Sequence, residues 1–261
     1  MNEKIQASLL KMPEVTLIFW LVKIAVTTLG ETGGDALSMS MGIGYAGSSV
    51  IFLLLFGLIV TFQVKGSKFN QYTYWLTVIT TTTVGTTLAD LADRTLGLGY
   101  TGGVTLLVSL LIASLYIWYR TTGTIAIYSI KTPSAEAFYW LTIMFSQTLG
   151  TALGDWTADS VGIGYTGSMV IFGSLLGLLA LAFFCTSISR TLLFWSAFIL
   201  TRPLGAVVGD FIDKPLSVGG LELSRFSASL SLIAFITTCL IIFPQHPAKD
   251  KQKQYDGCSQ P

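Results

Sequence analysis

Apolar residues run along this chain in eight blocks, each close to the roughly 20 residues that a helix needs to cross a bilayer. The blocks lie near 16–37, 46–64, 72–92, 101–119, 137–157, 165–186, 191–212 and 225–243, which predicts an all-α protein of eight transmembrane helices. Polar residues collect in a leading segment (1–15), in the linker Arg120 to Ser134 and in a tail (244–261).

The odd-numbered blocks also carry polar residues, at a repeating spacing. Each has a Phe-Trp or Tyr-Trp pair near its start. Glycine follows the tryptophan by ten residues and aspartate by fifteen, giving Trp20/Gly30/Asp35, Trp75/Gly85/Asp90, Trp140/Gly150/Asp155 and Trp195/Gly205/Asp210. Positions 8, 11, 15 and 18 after the tryptophan share one helical face. That face holds Thr28, Glu31, Asp35 and Ser38, then Thr83, Thr86, Asp90 and Asp93. The third copy has Thr148, Thr151 and Asp155, with Asp159 one residue out of phase, and the fourth has Pro203, Ala206, Asp210 and Asp213.

Even-numbered blocks open on a glycine motif, at Gly42 to Gly47, Gly97 to Gly102 and Gly162 to Gly167, degenerate in the fourth copy at Val218 to Glu222. Without a following Lys-Ser/Thr or a flanking strand it reads as a sharp outer turn or a partly unwound helix start rather than a phosphate loop. The chain thus divides into four two-span repeats, about 16–66, 70–120, 135–188 and 190–243. Two spans return the chain to its starting side, so the repeats run parallel. Small residues at mid-span let helices approach closely, so the odd helices are expected to form a polar centre ringed by the even ones.

Composition agrees. The 261 residues are 52% hydrophobic and 11% charged, against about 25% charged in soluble domains. A net charge of +1 excludes a basic nucleic-acid surface. Cys185, Cys239 and Cys258 are scattered and read as fillers plus a tail thiol. Lys4, Lys11, Lys65, Lys68, Arg120, Lys131, Arg190, Lys249, Lys251 and Lys253 fall at the termini and the even-to-odd connections; only Arg94, Lys214 and Arg225 fall near the others. That bias puts both termini in the cytoplasm. The repeat tryptophans then read as an aromatic belt at the inner interface. Tyr45, Tyr100 and Tyr165 either line the outer entrance or, the favoured reading, anchor at the interface.

Carboxylates within a membrane are costly and mark function. Glu31, Asp35, Asp90, Asp155 and Asp210 are expected to converge on one cavity, with Thr28, Thr83, Thr86, Thr148 and Thr151 as oxygen partners. Asp93, Asp159 and Asp213 are secondary acids near the surface, where Asp93 could pair with Arg94 and Asp213 with Lys214. Lys23 and Arg202 are counted as the intramembrane bases, too few for five carboxylates, so protons or a bound cation must supply the balance. Hard oxygen ligands suit Mg²⁺, Ca²⁺ or Mn²⁺. Met39 and Met41 beyond Asp35 read as packing residues; the alternative, a thioether at the site, would tilt the choice towards manganese over magnesium. Arg202 is read as a structural counter-ion or as a tethered competitor for the carboxylates.

The fourfold Trp, Gly, Asp signature with two spans per copy resembles a family of bacterial membrane proteins. These are built from tandem copies of a repeat of unknown function and are often labelled uncharacterised membrane-anchored proteins. The resemblance covers about residues 15 to 243 and implies this topology; the fourth copy departs from it at Arg202-Pro203 and in lacking the Gly-Tyr pair. It implies little about activity. The expectation is a multi-pass transporter in the bacterial inner membrane, exchanging a divalent metal, manganese first, for protons. Its partners are lipid, the cation and protons, with no permanently bound cofactor, and either a monomer or a homodimer fits. A transporter of an organic cation or other small solute and a non-transporting scaffold are the alternatives. Enzymatic chemistry is not expected, because no intramembrane histidine accompanies the serines and threonines.

Overall fold

The computed structural model describes residues 11–66, 68–126, 130 and 132–248. Lys4, Lys131, Lys249, Lys251, Lys253 and Cys258, along with most of the leading segment and tail, lie outside the described residues. Eight long helices make up nearly all of what is described, and the only β-pairing there is an isolated bridge between Pro13 and Pro247.

The helices are α1 (Leu17–Asp35), α2 (Gly44–Lys65), α3 (Gln71–Asp90), α4 (Gly99–Thr122), α5 (Pro133–Asp155), α6 (Gly164–Cys185), α7 (Arg190–Asp213) and α8 (Arg225–Ile242). Local sequence sets several of the starts. Thr16, Asn70 and Thr132 each accept a hydrogen bond from a first-turn backbone N–H, and Pro133 occupies the first turn of α5. After Asp35, Asp90 and Asp155 the first three inner helices continue for one π-helical turn, at Ala36–Ser40, Leu91–Thr95 and Trp156–Ser160. The chain then reverses through the Gly-x-Gly motifs. Both glycines of each have positive φ, between 67° and 77°, which a side chain would strain. The motif is therefore a turn, as its sequence context suggested.

The inner helices α1, α3, α5 and α7 form a closed ring in which each touches the next and α7 returns to α1. The outer helices pack against the following repeat: α2 on α3, α4 on α5, α6 on α7, and α8 back on α1. Glycine makes the ring possible. A Cβ at Gly85 would lie 2.8 Å from the carbonyl carbon of Gln147 and 2.9 Å from the nitrogen of Thr148. Gly30, Gly150 and Gly205 likewise receive Thr82, Arg202 and Thr27, so the glycine ten residues after each tryptophan accepts the residue seven after the next one.

Among the described residues, six helices are long and apolar enough to cross a bilayer: α2, α4, α6, α7, α8 and α1 with its π turn. The outer helices turn Leu54, Leu58, Phe62, Leu178, Leu181, Phe184 and Leu230 outward, with Phe184 81% exposed. Apolar surface on that scale marks a multi-pass membrane protein rather than a water-facing one. The inner helices α3 and α5 fall outside this set because they carry more polar residues. Seven of the eight threonines of α3 are buried, and these mostly bond to carbonyls three or four residues back.

One expectation is overturned here. Trp75, Trp140 and Trp195 are almost wholly buried and Trp20 is half-buried, so the four form no lipid-facing belt. With Phe19, Tyr74, Tyr139 and Phe194 they close the end of the ring nearest the termini. Four parallel copies bring the tryptophans to one level, and position 0 shares the inward stripe of positions 7, 11 and 15. Met12 is inserted into this cluster at 0% exposure. The two terminal segments cross beneath it, where Glu14 N–H donates to the His246 carbonyl and Ala248 N–H to that of Met12.

Candidate functional site

The inner ring is layered along its axis. Beyond the aromatic plug Lys23 is fully buried, its Nζ 4.0 Å from the centre of the Phe198 ring and without a hydrogen-bond partner. Seven residues past the tryptophans comes the layer of Thr27, Thr82, Gln147 and Arg202, all fully buried. Arg202 reaches across from α7 to the other three inner helices. Nη2 lies 3.0 Å from Glu31 Oε2, donates to Thr86 Oγ1 at 2.6 Å and also donates to Thr151 Oγ1, while Nη1 donates to the Thr27 carbonyl at 3.1 Å. One guanidinium thus ties four helices and bars the axis. Pro203 continues α7 without interrupting it.

The aspartates sit two helical turns further on, about 12 Å along the axis. Asp35, Asp90, Asp155 and Asp210 are each at most 3% exposed. Two bases bridge them in pairs. Lys214 Nζ lies 2.6 Å from Asp35 Oδ2 and 3.0 Å from Asp210 Oδ1. Arg94 Nε lies 3.0 Å from Asp90 Oδ1, and its Nη2 lies 3.3 Å from Asp155 Oδ2. Each base stands nineteen residues after its own tryptophan, binds its own aspartate at i,i+4 and reaches to the aspartate of the next repeat. Repeats two and four carry these bases; repeats one and three carry Met39 and Asp159 there. The ring therefore has two bays related by a pseudo-twofold axis.

These contacts correct the charge count from sequence. Arg94, Lys214 and Arg225 come in from the connections and join Arg202, with Arg225 Nε 3.8 Å from Asp35 Oδ2 and 2.6 Å from Asp213 Oδ2. The six carboxylates of Glu31, Asp35, Asp90, Asp155, Asp210 and Asp213 thus share four bases. In formal charges, the carboxylates outnumber these bases by two. The oxygens Asp35 Oδ1 and Asp155 Oδ1 are buried without a hydrogen-bond partner. For Lys214, just beyond α7, burial opposes the charge, but Asp210, Asp35 and Asp213 outweigh it and hold the ammonium well above its ordinary value.

The bays differ in their deeper layer. Behind the Lys214 bay stands Glu31, and Glu31, Asp35 and Asp210 each offer an oxygen within 4.8 Å of the others. An ion with oxygens at about 2.3–2.6 Å spans such a triad, since opposite ligands then lie roughly 4.6–5.2 Å apart. The Arg94 bay has Thr86 and Thr151 at the matching depth. Exposure of the basic side chains rises towards the end opposite the termini, from 0% for Arg202 to 13% for Lys214 and 32% for Arg94.

Other expected residues distribute unevenly. Thr86 and Thr151 join Arg202, whereas the hydroxyls of Thr28, Thr83 and Thr148 turn back to the carbonyls of Ile24, Ile79 and Met144. The expected Asp93–Arg94 and Asp213–Lys214 pairs do not form, because adjacent helical residues do not face each other. Arg94 pairs with Asp90, and Arg225 takes Asp213 at 2.6 Å. Both Asp93 oxygens are buried beside Gly103 without a hydrogen-bond partner. Asp159 is exposed and accepts from the Tyr100 hydroxyl at 3.1 Å. Arg94 donates to the Tyr45 hydroxyl at 3.3 Å, so Tyr45 and Tyr100 line the mouth rather than serving only as anchors. Met41 is 59% exposed, which removes its thioether from the site. Sequence reasoning missed Arg94 and Lys214; the signal was the Asp-x-x-x-Arg/Lys spacing in repeats two and four.

No curated protein and no solved structure matches this chain. One family profile matches it four times, over residues 18–68, 73–124, 138–189 and 193–243, each match covering one inner helix and the outer helix that follows. On these four matches the chain belongs to the family described as Repeat of Unknown Function (DUF347).

Proposed function

We propose that this protein is a secondary transporter of a divalent cation, exchanged for protons across the bacterial inner membrane with both termini in the cytoplasm. The observation that carries the proposal is the buried triad of Glu31, Asp35 and Asp210, whose oxygens lie close enough together for one ion. The two charges left over in the ring support a divalent ion in particular. Its all-oxygen character suits Mg²⁺, Ca²⁺ and Mn²⁺, and Mn²⁺ is the first to test. Arg202 orients Glu31 from below, and the aromatic plug seals the terminal end. In this reading the ion enters from the opposite end, and the plug and the Arg202 layer must part for release. Protonation of Asp35 or Asp210 removes the charge that holds the ion, which couples its release to protons.

The test is flux in proteoliposomes under an imposed pH gradient, with Mn²⁺, Mg²⁺ and Ca²⁺ supplied in turn. Gradient-driven flux of one ion, abolished by Asp35→Asn and by Asp210→Asn, is the expected result. Absence of flux for all three, or unchanged flux in both variants, would refute it. A second reading, transport of an organic cation, is favoured by the ammonium of Lys214 lying between two carboxylates. Flux of an alkylammonium that Mn²⁺ does not inhibit would support that reading instead.

A further inference from the structure

The two bays use different bases in otherwise matching positions, and the difference bears on how the site works. In the Arg94 bay every guanidinium nitrogen has a partner: Nε on Asp90, Nη2 on Asp155 and Nη1 on the Tyr45 hydroxyl. A planar fork fixed at three points is a structural tie. No third carboxylate stands behind it, since the deeper positions are Thr86 and Thr151.

In the other bay the base is a compact ammonium on a flexible stem. Lys214 Nζ lies within 3.0 Å of both Asp35 and Asp210, which are two of the three ligands of the triad, whereas Arg225 Nε is held by Asp213 at 2.6 Å and stands 3.8 Å from Asp35. The other oxygen of Asp35, a residue 1% exposed, is buried without a hydrogen-bond partner. Lys214 follows the last residue of α7 and has extended backbone, with φ −74° and ψ 155°. Its side chain is 13% exposed, against 0% for Arg202.

We propose that the Lys214 ammonium is a built-in surrogate for the transported divalent cation, alternating with the ion on Asp35 and Asp210 while Arg94 stays in place. This rests on the transport reading and adds the identity of the competitor. It reassigns the tethered-competitor role from Arg202, which is fully buried and tied to four helices, to a residue near the mouth. Exchange of one cation for another on the same carboxylates keeps Asp35 and Asp210 from facing each other without a counter-ion at any stage of turnover.

The test is Mn²⁺ binding to the full-length protein in detergent at neutral pH, read by electron paramagnetic resonance. Removing the competitor by Lys214→Gln should tighten Mn²⁺ binding by about tenfold or more, as expected for deleting a positive charge in direct contact with the ligands. Arg94→Gln should give a clearly smaller gain. Equal gains in the two variants, or no gain from Lys214→Gln, would overturn the inference. If Lys214→Gln does not fold, the wild-type protein carries the test. Saturating Mn²⁺ should raise the rate at which an amine-directed acylating reagent modifies Lys214, measured by peptide mass spectrometry, and an unchanged or lower rate would overturn the inference. Tighter binding in Lys214→Gln together with no flux by the wild type in proteoliposomes would sink the transport reading and leave Lys214 as the competitor. Flux with no effect of Lys214→Gln on binding would do the reverse.

Discussion

Replacing Gly85 by alanine places a methyl group 2.8 Å from the carbonyl carbon of Gln147 and 2.9 Å from the nitrogen of Thr148. Those atoms belong to the backbone of α5, so no side chain can rotate away, and the α3–α5 contact must open by roughly half an ångström to restore ordinary contact. Overpacking of this kind costs about 1–3 kcal/mol, and a rigid backbone neighbour puts it near 3. Alanine also favours helix over glycine by about 1 kcal/mol, which masks part of the effect. Gly173 on α6 supplies the control, because nothing lies within 4 Å of a Cβ added there. The propensity gain is common to both variants, so their difference isolates the clash. At about 2–4 °C per kcal/mol, Gly85→Ala should melt roughly 6–12 °C below Gly173→Ala. Tryptophan fluorescence of the protein in detergent reads this well, since Trp75 and Trp140 lie on the same two helices. Melting points within about 2 °C of each other would refute the closed inner ring.

Arg202→Met leaves the buried Glu31 carboxylate without its base and should cost about 3–5 kcal/mol. Adding Glu31→Gln should recover much of that in the melting temperature; additive losses would show that the two are not coupled. Met12→Ala should cost about 2–5 kcal/mol despite its place in a terminal segment, because the side chain is fully buried in the aromatic plug. An unchanged melting temperature would mean that the plug does not need it.

Much of this architecture was legible because the repeat supplied four readings of one element. Helix number, parallel repeats and the convergence of Asp35, Asp90, Asp155 and Asp210 all followed from a period that single-copy noise cannot imitate. The glycine ten residues after each tryptophan was rightly read as a close-approach position, although the residue it receives was not identifiable. Partner exchange among the outer helices was hidden, because a lipid-facing helix such as α2 is apolar all round and names no neighbour. The belt reading failed for a different reason. An aromatic residue near a span end suits either lipid interface or core, and only its phase with the aspartates points inward. The charge balance failed because Arg94 and Lys214 were assigned to connections, whereas the helix brings residues nineteen positions past the tryptophan back over the aspartates. The π-helical turns after Asp35, Asp90 and Asp155 left no compositional trace.

A Mn²⁺ titration comparing the wild type with Glu31→Gln, Asp35→Asn and Asp210→Asn, followed by electron paramagnetic resonance, tests the central claim most directly. The exposed Asp159→Asn serves as a surface control. One saturable site per chain, present in the wild type and Asp159→Asn and lost in each of the other three, is the result expected of a cation site in the Lys214 bay. Saturable binding that survives Asp35→Asn and Asp210→Asn, or no saturable binding in the wild type, would contradict it.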